Sequence, residues 1–148
     1  MPRAYDIRVG VAGIASPLAT ARVQRVVTRV LAAERVPRAA LSVTFVSRPR
    51  IAAMNWSHLR HRGPTDVITF AHEAPAALGV IGDVYVAPAV ARANARAAGC
   101  LVTEELERLI IHGTLHVLGW VHPEGAERER SAMWRRQEAL LAARRAGR

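Results

Sequence analysis

Between residues 5 and 11, Ile7, Val9 and Val11 alternate with Asp6, Arg8 and Gly10. Successive side chains of an extended chain point to opposite faces, so this pattern predicts a half-buried strand. The period then changes. Val23, Val26, Val27, Val30 and Leu31 recur at helical spacing while Arg22, Arg25 and Arg29 face elsewhere, which predicts a helix with one core-facing stripe. Ser16-Pro17 is expected to open it as cap and first turn, and Pro37 to end it. Alternation returns with Leu41, Val43 and Phe45 against Ser42, Thr44 and Val46, a second strand.

Arg48-Pro49 predicts the start of a short helix that turns Ile51, Met54 and Leu59 inward, followed by a basic loop, Arg60-His61-Arg62-Gly63. Residues 67–70 and 80–86 read as third and fourth strands, joined by a loop over 71–79 that holds Pro75 and Gly79. An alanine-rich helix spans 88–98 and is stopped by Gly99. Thr103 is expected to cap the next helix, with Glu104, Glu105 and Glu107 in its positive first turn. Leu106, Leu109, Ile110, Gly113 and Val117 face its core side. A final helix from about residue 124 turns Met133, Leu140 and Leu141 inward and Arg144, Arg145 and Arg148 to solvent. With no repeat or linker, residues 1–148 form one α+β domain: a small mixed four-stranded sheet covered by helices.

Composition narrows the classes. Half of the 148 residues are hydrophobic, which suits a folded domain with its own core. No apolar run approaches the ~20 residues that span a bilayer, and the first residues lack the apolar centre of a secretion signal. Cys100 is the sole cysteine, so no intrachain disulfide forms and a reducing cytoplasm is the expected home. Cys100 itself reads as a small buried hydrophobe. The net charge is +9 and every basic side chain is arginine. Residues 1–50 carry nine Arg against Asp6 and Glu34, whereas residues 101–148 carry eight against seven Glu. Such a one-sided surplus fits a nucleic-acid partner, or simply a well-solvated surface.

The chemistry gathers at residues 112–122, His-Gly-Thr-Leu-His-Val-Leu-Gly-Trp-Val-His. At about 100° per residue, His112 and His116 share a helix face one turn apart. Gly119 tolerates the left-handed turn that ends a helix and folds the chain back, bringing His122 to the same point. Three imidazoles from a helix and its following turn make a zincin-like site that leaves the fourth tetrahedral position of a zinc open. Iron, nickel or manganese also accept imidazoles, but geometry and availability favour zinc. Metzincin proteases share this spacing, yet they need a glutamate general base directly after the first histidine. Gly113 stands there. A zinc with an open position also polarises phosphoryl oxygens, and Arg60 and Arg62 offer charge for a developing phosphate anion.

The stretch from His112 to His122 resembles the signature of the YbeY family of bacterial endoribonucleases. Asn55, the run Pro64-Thr65-Asp66-Val67-Ile68-Thr69-Phe70 and the strand Gly82-Asp83-Val84-Tyr85-Val86 are similar to the family's other blocks, in the same order. The resemblance implies a zinc-dependent, single-strand-directed ribonuclease acting in 16S rRNA 3′-end maturation and ribosome quality control. It implies one zinc per chain on His112, His116 and His122, with ribosomal RNA, and possible ribosomal proteins, as partners. Neither DNA nor membrane is expected. Two positions depart from the pattern: Val121 stands where the family has aspartate, and Leu59 where it commonly has arginine. Arg60, next to Leu59, is accordingly the candidate catalytic cation, with Arg62, Asn55 and His61 as substrate contacts.

Asp66 and Asp83, at strand ends, are candidates to orient a ligand imidazole, with turn and cap chemistry as the plainer account. Gly113 and Gly119 are structural. His58 and His72 lack ligand spacing, and Trp120 reads as a packing wedge beside the ligand turn. Two other functions fit part of the pattern. One is a metallopeptidase-like hydrolase drawing its base from elsewhere, with Glu73 as candidate. The other is a non-catalytic RNA-binding assembly factor with structural zinc.

Overall fold

The computed structural model describes residues 2–146. Four strands, β1 (Ala4–Ala12), β2 (Arg38–Val46), β3 (Val67–His72) and β4 (Val80–Val86), form one mixed sheet in the order β1-β2-β4-β3. β1, β2 and β4 run parallel and β3 is antiparallel to β4. Five helices accompany them: α1 (Thr20–Ala33), α2 (Arg48–Leu59), α3 (Pro88–Ala98), α4 (Val102–Val117) and α5 (Ala132–Ala146). The fold class is the α+β arrangement expected from the hydrophobic pattern.

Register explains how the sheet directs its faces. Ile7 pairs with Leu41, Leu41 with Gly82, Val43 with Val84, and Thr69 with Val84. Paired residues project to the same side, so these form one apolar face, and α1, α4 and α5 close the main core over it. The alternate residues, Ser42, Asp83, Tyr85, Phe70 and His72, take the other face. There α2 covers one end through a smaller cluster of Val46, Ile51, Ile68 and Ala87. α4 is central, touching α1, α3, α5, β3 and β4. Its close seat on the sheet requires Gly113: a Cβ there would stand 2.6 Å from Val84 Cγ1 and 3.3 Å from both Thr69 Cγ2 and Val67 Cγ2.

α2 and α3 start where expected, whereas α1, α4 and α5 do not. α1 begins at Thr20 with Ala19 as an uncapped N-terminal boundary. Ser16 instead donates its hydroxyl to the Leu18 carbonyl at 2.7 Å, a local turn that competes with helix formation. α4 starts at Val102, one residue ahead of Thr103, whose side chain makes no cap. α5 starts after a 3-10 turn over Gly125–Arg130, and Ser131 supplies its cap by accepting from the Trp134 amide. Only Ser47 caps as an N-terminal residue of the family Ser, Thr, Asp and Asn among the three loop-to-helix joints at α1, α2 and α4.

Some side chains also fall elsewhere. Leu59 is 48% exposed, because α2 ends there and Arg60 turns left-handed at φ 57°. Arg144 does not reach solvent: it pairs with Glu104 and Glu107 and is 12% exposed. Arg148 and the Arg145 side chain lie outside the described residues. Among the described residues no helix is long and apolar enough to cross a membrane.

Candidate metal centre

Two ligands ride on the last turns of α4 and the third on the turn beyond. The α4 C-terminus closes as a Schellman motif: Gly119 donates its amide to the His116 carbonyl at 3.0 Å and Trp120 donates to that of Leu115 at 3.0 Å. Gly119 has φ +99°, a conformation in which any other residue is strained. Trp120 packs against the main core and donates its indole N–H to Glu34, which anchors the turn. The chain thus reverses and returns His122 to the end of the helix.

The three rings converge. Centroids are 4.5 Å apart for His112 and His116, 5.0 Å for His112 and His122, and 4.9 Å for His116 and His122. One nitrogen from each lies within 4.8 Å of the others. An ion held at about 2.1 Å by imidazoles in tetrahedral array keeps its donors about 3.4 Å apart, which small ring movements reach. His112 is 4% exposed and His116 and His122 are half-buried, so the cluster opens on the side of the latter two.

Each ring is oriented by an oxygen. His112 Nδ1 lies 2.6 Å from Gln137 Oε1, His116 Nδ1 2.9 Å from the Trp120 carbonyl, and His122 Nδ1 2.9 Å from the Pro123 carbonyl. Carbonyl oxygens only accept, so each Nδ1 carries the proton and each Nε2 keeps a free lone pair. The Gln137 amide is itself fixed, because its Nε2 donates to Glu138 Oε2 at 3.1 Å. Burial pushes His112 down to about 3, aided by the charges of His116, Arg128 and His122 and opposed by the Gln137 bond. His116 is lowered for the same leading reason, against the pull of the Trp120 carbonyl. Both are neutral near pH 7, the state in which imidazole binds metal. Donor set, tautomers and protonation all fit a divalent ion.

Other predicted residues fall at varied stations. Asp66 lines a cavity of about 840 Å³ that shares the His112 wall, and its carboxylate accepts from Asn94 at 3.1 Å. Asp83 projects to the sheet face away from α4, where it accepts from Ser42 at 2.6 Å and pairs with His72 at 2.6 Å. Asn55 is buried, and its amide donates to the Gly63 carbonyl at 2.9 Å, tying down the loop that follows α2. Arg60 and Arg62 each stack 5.6 Å from the centroid of exposed Trp56, with exposed His61 between them. Glu73 is exposed after β3 and does not line the His112 cavity. Val121 is 81% exposed, and its departure from the family pattern leaves no ring unoriented, since Gln137 and two carbonyls serve. Sequence reasoning passed over Gln137, although it sits four residues after Met133 and four before Leu141 on a core-facing stripe.

Comparison with known proteins finds relatives over most of the chain. A family model described as Endoribonuclease YbeY matches residues 12–145. Endoribonuclease YbeY of Geobacillus kaustophilus is 37% identical over 131 residues, 81% of this chain and 83% of that one. Its counterpart in Acidothermus cellulolyticus is 40% identical over 125 residues, covering 76% and 74%. That of Beutenbergia cavernae is 40% identical over 99 residues, 62% of this chain and 66% of the relative. A Thermotoga maritima protein solved in solution shares the fold with a TM-score of 0.60 and 23% identity, over 95% of this chain and 93% of the other. The family match over residues 12–145, which takes in β2 to β4, all of α4 and most of α5, makes the chain a member of the YbeY endoribonuclease family.

Proposed function

We propose that this protein is a zinc-dependent endoribonuclease that cleaves single-stranded RNA in the cytoplasm, with 16S rRNA 3′-end maturation as its role. The observation that carries the reading is the convergence of three imidazoles, one nitrogen of each within 4.8 Å of the others, with every Nδ1 facing an oxygen that leaves Nε2 for an ion. Zinc bound there would supply Lewis acidity, activating water and polarising a phosphoryl oxygen. The chain's own residues then do the rest. Gln137 and the Trp120 and Pro123 carbonyls hold the ring protons away from the ligand face. The half-buried His116 and His122 leave that face accessible to a strand of RNA. Exposed Arg60, Arg62 and His61 offer contacts for its backbone.

Gly113 speaks against the peptidase alternative. Its α-carbon faces the sheet against Val84, so a general base at this position would be driven into the core rather than toward the metal. His116→Ala removes one ligand of three. Its expected result is parallel loss of zinc, read by elemental analysis, and of RNA cleavage, read on labelled oligonucleotide. Full zinc content with full cleavage in that variant would refute the assignment. Casein hydrolysis by the zinc-loaded protein would favour the peptidase; RNA binding without cleavage under any metal would favour a structural zinc.

A further inference from the structure

A phosphodiester approaching one metal ion needs a second cation for its other non-bridging oxygen, and the structure offers one that sequence resemblance did not single out. We propose that the Arg128 guanidinium binds the backbone phosphate of RNA beside the histidine cluster and is a catalytic residue of the reaction. This rests on the endoribonuclease reading above.

Arg128 sits in the 3-10 turn over Gly125–Arg130, between the third histidine and α5. It lines the same cavity as His112, and its positive charge is felt at both His112 and His116. Several other arginines of α4, the 3-10 turn and α5 are neutralised. Arg108 is bonded to Glu105 and Glu138, Arg130 pairs with Glu127, Arg136 with Glu34 and Arg144 with Glu107. Arg128 differs. Among the described residues no carboxylate forms an ion pair with it; its Nε, like that of Arg144, is buried with no hydrogen-bond partner, and the guanidinium lies 6.0 Å from the centroid of the Trp134 ring. Glu124 and Glu129 line the cavity too, yet neither forms an ion pair with it.

A half-buried guanidinium set over an aromatic ring and left without an ion pair is arranged for a ligand, because leaving it bare costs free energy. The adjoining histidines sharpen this. A divalent ion on them would add positive charge beside Arg128, so the group that relieves both is an anion able to bridge them. A phosphodiester has two non-bridging oxygens, one for each cation, and the planar guanidinium fork suits the second. Arg60 and Arg62 share a single ring on exposed Trp56 and suit the flanking backbone.

The test uses Arg128→Gln and Arg128→Lys, with Arg130→Gln as control because Arg130 is exposed and paired with Glu127. Affinity for a 2′-O-methyl oligoribonucleotide, which blocks attack by the 2′-hydroxyl and whose integrity is checked on a gel, is measured with and without zinc, alongside zinc content and cleavage of the matching RNA. Arg128→Gln is expected to keep its zinc, bind the oligonucleotide about tenfold more weakly and cleave about 100-fold more slowly. Arg128→Lys should recover part of the affinity, and free guanidinium at non-denaturing concentration should raise cleavage by Arg128→Gln. Affinity and rate in Arg128→Gln equal to wild type would overturn the assignment, as would equal losses in Arg130→Gln. If zinc-loaded wild type leaves RNA intact, the nuclease reading falls, and the affinity difference still decides the phosphate contact.

Discussion

Gln137 is the residue that ties α5 to the metal centre. Its side chain is 1% exposed and accepts from His112 Nδ1, so it selects which nitrogen of a buried ring faces the ion. Gln137→Leu keeps the volume and deletes the acceptor. Losing such an outer partner typically weakens metal binding about 10–100-fold, and zinc competition against a chromophoric chelator should show a loss of that size. Gln137→Glu retains an acceptor for His112 but loses the donor to Glu138, so it should hold zinc better than Gln137→Leu; equal losses in both variants would contradict the orienting role. His112 also makes the metal-free protein acid-sensitive. Its folded midpoint of about 3 lies below the ordinary value of 6.5, so the unfolded chain takes the proton first. Native stability is therefore undiminished above about pH 6.5 and falls as pH drops toward 3, by at most roughly 1.4 kcal/mol per pH unit from this group. Urea titrations in chelator at pH 7 and 5 should show the decline, and His112→Asn should reduce it, leaving the smaller share that the lowered His116 contributes. The histidines were legible because helix angle alone brings His112 and His116 together. Gln137 was not, since a polar residue on an apolar stripe reads as an interruption until its partner is seen.

At the scale of elements, the centre depends on how α4 ends. Gly119 is surrounded by open space, so Gly119→Ala meets no steric clash and its cost comes from φ +99° alone. A left-handed residue with a Cβ costs roughly 1–2 kcal/mol. Relaxing that strain would loosen the bonds from Gly119 and Trp120 to the helix end and let His122 drift from its partners. Gly119→Ala should thus lose zinc affinity by a larger factor than Gly99→Ala, which carries a comparable left-handed strain at the end of α3, although both lose similar stability. Equal zinc affinities in the two variants would mean that the turn does not position the third ligand. The sequence announced this turn through one glycine between two histidines, and it announced β4 and α3 to the residue. It misjudged the starts of α1, α4 and α5. Ser16 and Thr103 have cap chemistry, but Ser16 spends its hydroxyl in a turn before α1 and Thr103 falls inside the first turn of α4. Local propensity names residues that can cap; the packing of Leu18 and Val102 decides where the helix begins.

Across the whole molecule, three helices meet at a carboxylate that sequence assigned only to a helix dipole. Glu107 of α4 is 4% exposed and accepts from Arg22 of α1 and from Arg144 of α5. A charge so buried is tolerable because both partners come to it, and removing the shared anion leaves two cations facing each other. Such a break typically costs about 3–5 kcal/mol, which for a domain of this size lowers the melting temperature by on the order of 10 °C. Calorimetry of Glu107→Ala with metal bound should show that drop. Replacing the charges together, as Glu107→Leu with Arg144→Met, removes the desolvation cost with the attraction and should recover most of the loss. The network sits in the first turns of α4 and the ligands in its last, so the folded fraction of each variant should keep its zinc. A double variant as unstable as Glu107→Ala would show that the helices rely on the ion pairs themselves, and that the apolar contacts of α1, α4 and α5 over the sheet do not suffice to hold the site in place.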